Sequence, residues 1–197
     1  EKKRLYFRKS TPPKKIQKYY RALSMEQDKR SPHHYFDSVK DVTGKVFVDI
    51  GCAEGYSSLE IVEEAKHIYL FEQDEQWLEA IRATFEPWQD KVTIIQKYVS
   101  DHNSSREQTL DDFFNNQTDE HLFLKMDIEG AERHALTGCK NLFQNCQKLD
   151  FAICTYHLRD DEEVISTFLN KHNCAYINQK GFFRHRIRSV VMRGSKR

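Results

Sequence analysis

The sequence predicts a doubly wound α/β fold: a mostly parallel sheet of seven strands, helices on both faces, and an N-terminal helical arm in front of it. Two observations lead there. From Lys45 onward, short β-branched apolar runs alternate with segments of helical spacing, at the interval expected of strand–helix–strand units. Before Lys45 that alternation is missing, and the chain is basic and polar. The division that follows is an arm over residues 1–44 and a sheet domain over residues 45–197.

The arm holds one helical pattern, KKIQKYYRALSM (14–25), opened by Pro12 and Pro13, with Ile16, Tyr19, Tyr20 and Leu23 on one stripe. A polar loop, EQDKRSPHHYF (26–36), follows it. In the sheet domain KVFVDI (45–50), HIYLFE (67–72), VTIIQ (92–96), HLFLKMD (121–127) and LDFAICTY (149–156) read as strands, each a short apolar run bounded by polar residues. CAYIN (174–178) and IRSVVMR (187–193) complete the seven. Between them, 56–65, 75–88, 109–114, 131–138 and 160–172 carry helical spacing. Pro87 ends the second of these and Gly138 the fourth.

Apolar residues make up 39% of the chain and charged residues 31%, the balance of a soluble globular domain. No apolar run approaches the roughly 18–20 residues of a spanning helix. Five scattered cysteines form no C-x-x-C pair, which counts against a zinc ribbon or a thioredoxin-type motif; they read as reduced thiols of a cytoplasmic protein. The net charge of +1 hides an asymmetry: residues 1–21 carry nine Lys/Arg and one Glu, residues 180–197 seven Lys/Arg and no acid, and the remaining 15 bases face 29 acids. Basic ends of this kind fit nucleic acid, an anionic surface or a phosphorylated substrate, or simply pair with the acidic middle.

A doubly wound sheet binds its ligand beyond the carboxyl ends of its strands, where the strand order switches. The first strand runs into DIGCAEGYSS (49–58), where Gly51 and Gly55 permit a tight turn into a helix start. The second strand ends at Glu72, 21 residues after Gly51, a spacing that suits a ribose diol. Together they point to an adenosine-type cofactor. Ala53 and Tyr56 stand where G-x-G-x-x-G needs its second and third glycines, and no G-K-[ST] follows, so a dinucleotide or P-loop site is disfavoured.

D-x-G-x-x-x-G instead resembles the first motif of S-adenosylmethionine (SAM) methyltransferases, and Asp49 is the acid expected to hold the ammonium group of that cofactor. The stretch LKMDIEGAE (124–132) is similar to the L-K-[IV]-D-[VI]-E-G-x-E block of FkbM-type methyltransferases, class I SAM-dependent enzymes. TLDDFF (109–114) resembles the T-L-D-x-[FL] segment upstream of that block, and EQDKRSPHHY (26–35) the approach segment of some bacterial members. The resemblance implies a Rossmann-like methyltransferase sheet and methyl transfer to a hydroxyl of a sugar, glycan or natural-product intermediate. It also implies that Ser100 and Asp101, after the third strand, contact the adenine. The family's E-x-H pattern reads Thr155-Tyr156-His157 here, so only the histidine carries over.

Carboxylates resist burial, so Asp127 and Glu129 at the end of a core strand read as rim groups of the crevice, and their spacing of two turns them the same way. With His157 they form the expected catalytic set: base, orienter of the base, or ligands of a divalent cation that acidifies the hydroxyl. Glu132, in a helix's first turn, reads as structural, and Lys125 receives no role. His33 and Tyr35 are expected to cover the site and face the acceptor; His102 and His185 read as surface residues. Two rivals remain. One is a nucleic-acid methyltransferase, suggested by the basic ends and opposed by the absence of an N/D-P-P-[YFW] motif. The other is a non-catalytic SAM- or nucleotide-binding module.

Overall fold

The structure, a computed structural model, describes residues 3–115, 119–183 and 186–196. Seven strands form one sheet: β1 (Val46–Ile50), β2 (His67–Phe71), β3 (Val92–Ile95), β4 (Leu122–Met126), β5 (Leu149–Cys154), β6 (Ala175–Phe183) and β7 (Arg186–Lys196). Their spatial order is β3-β2-β1-β4-β5-β7-β6. The first five are parallel and β7 runs against its neighbours on both sides. The order reverses between β1 and β4, which pair with Asp49 level with Lys125 and Ile50 level with Met126.

All five residues of β1 and of β4 are buried, which is why both read as apolar runs, each broken by one charge, Asp49 and Lys125. Val46, Val48 and Ile50 face one core layer with Leu122, Leu124 and Met126. Phe47 and Phe123 face the other and stack at 5.3 Å. Helices α4 (Leu110–Phe113), α5 (Glu132–Thr137), α6 (Lys140–Asn145) and α7 (Asp161–Lys171) come from the chain crossing the first layer. Helices α2 (Tyr56–Ile61) and α3 (Glu75–Phe85) cover the second. Thr109 caps α4 by accepting the Asp112 amide hydrogen.

The helix expected over 56–65 stops at Ile61, and the last two strands run to nine and eleven residues. Helix α6 was not expected, because only Leu142 and Phe143 of its six residues are buried and no apolar period develops. Expected surface residue His102 is exposed, whereas His185 lies outside the described residues. All five cysteines are unpaired and buried. Among the described residues no helix is long and apolar enough to cross a membrane.

The arm docks on the sheet domain. Tyr6 N donates to Thr84 Oγ1, and Arg8 pairs with Asp74 at 2.7 Å while lying 4.0 Å over the Trp77 ring. Helix α1 (Pro13–Glu26) buries none of its residues fully and leans on α2 and α3 through aromatic contacts, Tyr19 on Trp77 and Tyr20 on Tyr56.

Arg133 ties α5 to the start of α7 through ion pairs with Asp160 and Asp161. Arg133 donates to Asp161 Oδ1 at 2.8 Å, and Asp161, fully buried, takes the Leu158 amide hydrogen on its other oxygen. Replacing Arg133 by Met should leave that carboxylate short of a donor and cost about 1–3 kcal/mol. Urea unfolding checks this: the midpoint should fall with the slope unchanged.

Candidate active site

A cleft of about 1310 Å³ opens at the carboxyl ends of β1, β2 and β4, and α1 forms part of its wall. Its floor is the turn after β1. Gly51 takes φ +78°, and a Cβ there would stand 2.2 Å from the Asp127 carbonyl oxygen, so only glycine lets β1 and β4 close up at the switch point. Gly55, at φ +80°, starts α2 behind the turn, against the Phe85 ring.

Glu72 braces this turn. Its Oε2 accepts the Ala53 amide hydrogen at 3.0 Å and its Oε1 that of Asp74 at 2.8 Å. Each oxygen accepts only one of these bonds and keeps capacity for another, and Glu72 lines the cleft. Asp49 is 1% exposed. It accepts the Ser58 hydroxyl at 2.6 Å on one oxygen and faces Lys125 Nζ at 2.8 Å on the other. Lys125 also donates to the Gly51 carbonyl at 2.6 Å. Burial alone would strip Lys125 of its proton, but Asp49 and Asp127 beside it hold the ammonium charged well above its ordinary range. The lysine inside an apolar strand is thus the buried counter-ion that ties β4 to the turn. The sequence carried a signal for it, a charge where burial is expected, but no partner.

Ser100 and Asp101 line the cleft after β3. They sit close because Gly138, after α5, has no side chain: a Cβ would stand 1.9 Å from the Ser100 carbonyl oxygen. His102 and His134 flank the Asp101 carboxyl at 2.8 and 3.0 Å and hold it down to about 2.

The acceptor side centres on Asp127. Tyr35 donates its hydroxyl to Oδ2 at 2.7 Å and Tyr156 donates to Oδ1 at 3.3 Å. His33 Nε2 lies 3.7 Å from Oδ2, and the His33 ring packs edge-on against both tyrosines. Burial pushes the Asp127 carboxyl up, but His33, Lys125 and Tyr35 outweigh it and hold the group well below the usual carboxylate range. Burial together with Asp127 drives the Tyr35 hydroxyl far up, so it stays a donor.

His157 stands behind Asp127, not in the cleft wall, with a side chain 7% exposed. Its Nε2 lies 3.4 Å from Asp127 Oδ1 and 3.7 Å from Glu129 Oε2, and its Nδ1 lies 2.9 Å from Glu132 Oε1. Burial disfavours the imidazolium, but Glu132 foremost, with Asp127 and Glu129, raises the ring's proton affinity above the ordinary value. Glu132 is fully buried and also accepts the Ile128 amide hydrogen. Glu129 takes φ +55° in the turn and its side chain is 93% exposed. The two acids both line the cleft and both approach His157, Asp127 from within and Glu129 from the exposed turn.

The cleft thus gathers Asp49, Gly51, Glu72, Ser100, Asp101, Asp127, Glu129, His33 and Tyr35, with Gly55 and His157 behind its wall. Sequence reasoning missed Lys125, Tyr156, and the pair Tyr19–Glu54, in which the tyrosine donates at 3.1 Å to a carboxylate 4% exposed.

The family model described as "Methyltransferase FkbM domain" matches residues 69–182, more than half of the chain. No curated protein matches it. Among solved structures, an FkbM methyltransferase from Methylobacillus flagellatus KT superposes with a TM-score of 0.61 at 18% identity, over 77% of this chain and 43% of its own. The chain therefore spans less than half of that neighbour's length. A magnesium protoporphyrin IX methyltransferase from Synechocystis PCC 6803, solved with SAM bound, gives 0.51 at 10% identity, over 93% of this chain and 79% of its own. At such identities the likeness is one of fold: the doubly wound sheet of methyltransferases. The domain match, which runs from β2 into β6 and takes in the LKMDIEGAE block, goes further, and the chain belongs to the FkbM methyltransferase domain family.

Proposed function

We propose that this protein is a SAM-dependent O-methyltransferase whose acceptor is a hydroxyl on a sugar, glycan or natural-product intermediate, and that residues 1–44 form an arm over its site. One observation carries the reading: a glycine turn braced by Glu72 opens into the same cleft as an ionised Asp127 ringed by Tyr35, Tyr156 and His33. The first half suits an adenosine-type cofactor and the second a hydroxyl that must lose a proton.

The residues present fit SAM. The Gly51 turn presents backbone without a side chain to the cleft, and Glu72 keeps acceptor capacity for ribose hydroxyls. Ser100 and Asp101 stand at the adenine end by family resemblance. Asp49, occupied by Ser58 and Lys125, acts on the shape of the turn. When bound, SAM supplies an electrophilic methyl group on a sulfonium. The chain's own task is to align the acceptor oxygen and take its proton. Asp127 accepts the hydroxyl's hydrogen bond, with its geometry fixed by the two tyrosines. The proton leaves to His33, the imidazole in the cleft wall beside it.

Calorimetric titration with SAM, S-adenosylhomocysteine and NAD tests the cofactor half. The first two should bind at micromolar concentration and NAD should not. Glu72→Ala should weaken SAM roughly tenfold to a hundredfold, the loss of a hydrogen bond to a charged group. Binding of neither adenosyl ligand by the wild-type chain would remove the basis of the reading. With binding established, labelled methyl transfer to a panel of hydroxyl compounds tests the acceptor half.

A further inference from the structure

We propose that His33, Asp127 and Cys154 form a site for one Zn²⁺ at the acceptor end of the cleft, and that zinc bound there stops methyl transfer. The site stands on geometry; only its consequence rests on the methyl-transfer reading. One ligand atom from each of the three residues lies within 4.8 Å of the other two. His33 Nε2 is the common neighbour, 3.7 Å from Asp127 Oδ2 and 3.7 Å from Cys154 Sγ. Around a tetrahedral zinc with bonds of about 2.0–2.3 Å, nitrogen and oxygen stand roughly 3.3 Å apart, and nitrogen and sulfur roughly 3.5 Å. Both observed gaps exceed those values by less than about half an ångström.

The fold brings the three together. β4 and β5 are parallel and pair Met126 with Ile153, so Asp127 and Cys154, one place further on, stand side by side. His33 arrives from the arm, 121 positions from Cys154. Cys154 is fully buried, whereas His33 and Asp127 line the cleft, so a zinc on this set turns its fourth position toward the acceptor. The donors select the metal: a thiolate with an imidazole and a carboxylate suits Zn²⁺, whereas Mg²⁺ and Ca²⁺ take oxygen ligands. Outer partners are also in place. Tyr35 donates its hydroxyl to Asp127 Oδ2 at 2.7 Å, and Glu26 Oε2 faces His33 Nδ1, the other ring nitrogen, at 3.8 Å.

Burial and the Asp127 carboxylate keep the Cys154 thiol protonated in the free chain. Zinc exchanges that S–H bond for a Zn–S bond and releases the proton to water. Asp127 is the group that receives the acceptor hydroxyl, and His33 the group that takes its proton. With zinc on Oδ2 and Nε2 neither is free, so the hydroxyl keeps its proton and the O–CH₃ bond does not form. SAM, held at the Gly51 turn and Glu72, still binds.

The test is calorimetric titration of Zn²⁺, and separately of Mg²⁺, into the reduced full chain after dialysis against chelator, with Co²⁺ as a spectroscopic stand-in. Zn²⁺ should bind one to one and Mg²⁺ should not, and Co²⁺ should show a thiolate-to-cobalt charge-transfer band. Cys154→Ser and Cys154→Ala should each remove that band and lower zinc affinity by more than the roughly 10–100-fold that loss of an outer partner costs. Cys174→Ser, on a thiol in the other core layer, should change neither. Methyl transfer by the wild-type chain should fall as the site fills and return with chelator. Cys154→Ser, which leaves His33 and Asp127 in place, should transfer within a few fold of wild type and resist zinc. No one-to-one zinc binding, or binding that both Cys154 variants leave unchanged, overturns the site. Binding that the variants abolish, with wild-type transfer undiminished by zinc, overturns the inhibition. SAM is titrated into the same samples. Zinc binding sensitive to Cys154 upholds the site even where SAM fails to bind, an outcome that sinks the methyl-transfer reading instead.

Discussion

Asp127→Asn should lower the methyl-transfer rate by about 10²–10⁴-fold while leaving SAM affinity within a few fold. The asparagine keeps the shape of the side chain and an oxygen for the Tyr35 hydroxyl, which now reaches Asp127 at 2.7 Å. What it removes is the negative charge on which Tyr35, Tyr156, His33 and His157 converge. It also removes one of the two carboxylates that hold Lys125 charged, but Asp49 remains at 2.8 Å, so the turn under the cofactor should persist. That separation makes the prediction specific. Single-turnover transfer to a hydroxyl found in the panel, set beside calorimetric SAM affinity, reads the two effects apart. A rate within threefold of wild type would show that the carboxylate is scaffolding and that the proton leaves by another route. A parallel collapse of SAM binding would mean that Asp127 serves the turn through Lys125 and not the acceptor.

The strands that position this site were legible because burial on both faces favours apolar residues: β1 and β4 announced themselves as VFVDI and LFLKM, each broken by one charge that the other strand pairs. The edge was less so. β7 buries only residues 189–192 and none of the described side chains of the edge strand β6 is buried, so their apolar runs end well before their pairing does. Within the site, Gly51, Glu72 and Asp127 could be read because each follows a strand directly, and position along the chain fixes position in the cleft. Tyr35, as a residue facing the acceptor, rested on family likeness and its loop; the bond it makes spans 92 positions, which no local pattern encodes. Lys125 and Asp49 show the same limit. Each was conspicuous alone, but that they satisfy one another follows only from the parallel register of β1 and β4. With that pairing known, Asp49, which lines the cleft, is also a brace between β1 and β4. His157 moved for a similar reason: the chain after β5 presents Tyr156 to the cleft and turns the next side chain back toward Glu132.

Gly51→Ala should damage fold and site together. Two costs coincide there. At φ +78° an L-residue carries a backbone penalty of about 1–2 kcal/mol. The added Cβ would also stand 2.2 Å from the Asp127 carbonyl oxygen and 2.6 Å from Ile128 Cγ2, an overpacking cost of about 1–3 kcal/mol. The neighbours cannot simply give way. The Asp127 amide donates to the Ile50 carbonyl at 3.1 Å, and the Gly51 carbonyl takes the Lys125 ammonium, so a shift at either strand end drags the other. The sum, about 2–5 kcal/mol, is a large part of the 5–15 kcal/mol that holds a domain of this kind folded. The chain should therefore still fold, at a lower urea midpoint, with SAM binding and transfer both lost because the turn and Asp127 move together. Gly44→Ala is the control. It has a similar φ of +72° and nothing within 4 Å of the added Cβ, so it carries the backbone penalty alone. The difference between the two midpoints measures the steric closure of β1 on β4. If Gly51→Ala proves no worse than Gly44→Ala, and SAM still binds, then the strands can part at the switch point without loss, and the tight approach of the turn to Asp127 is not what builds the site.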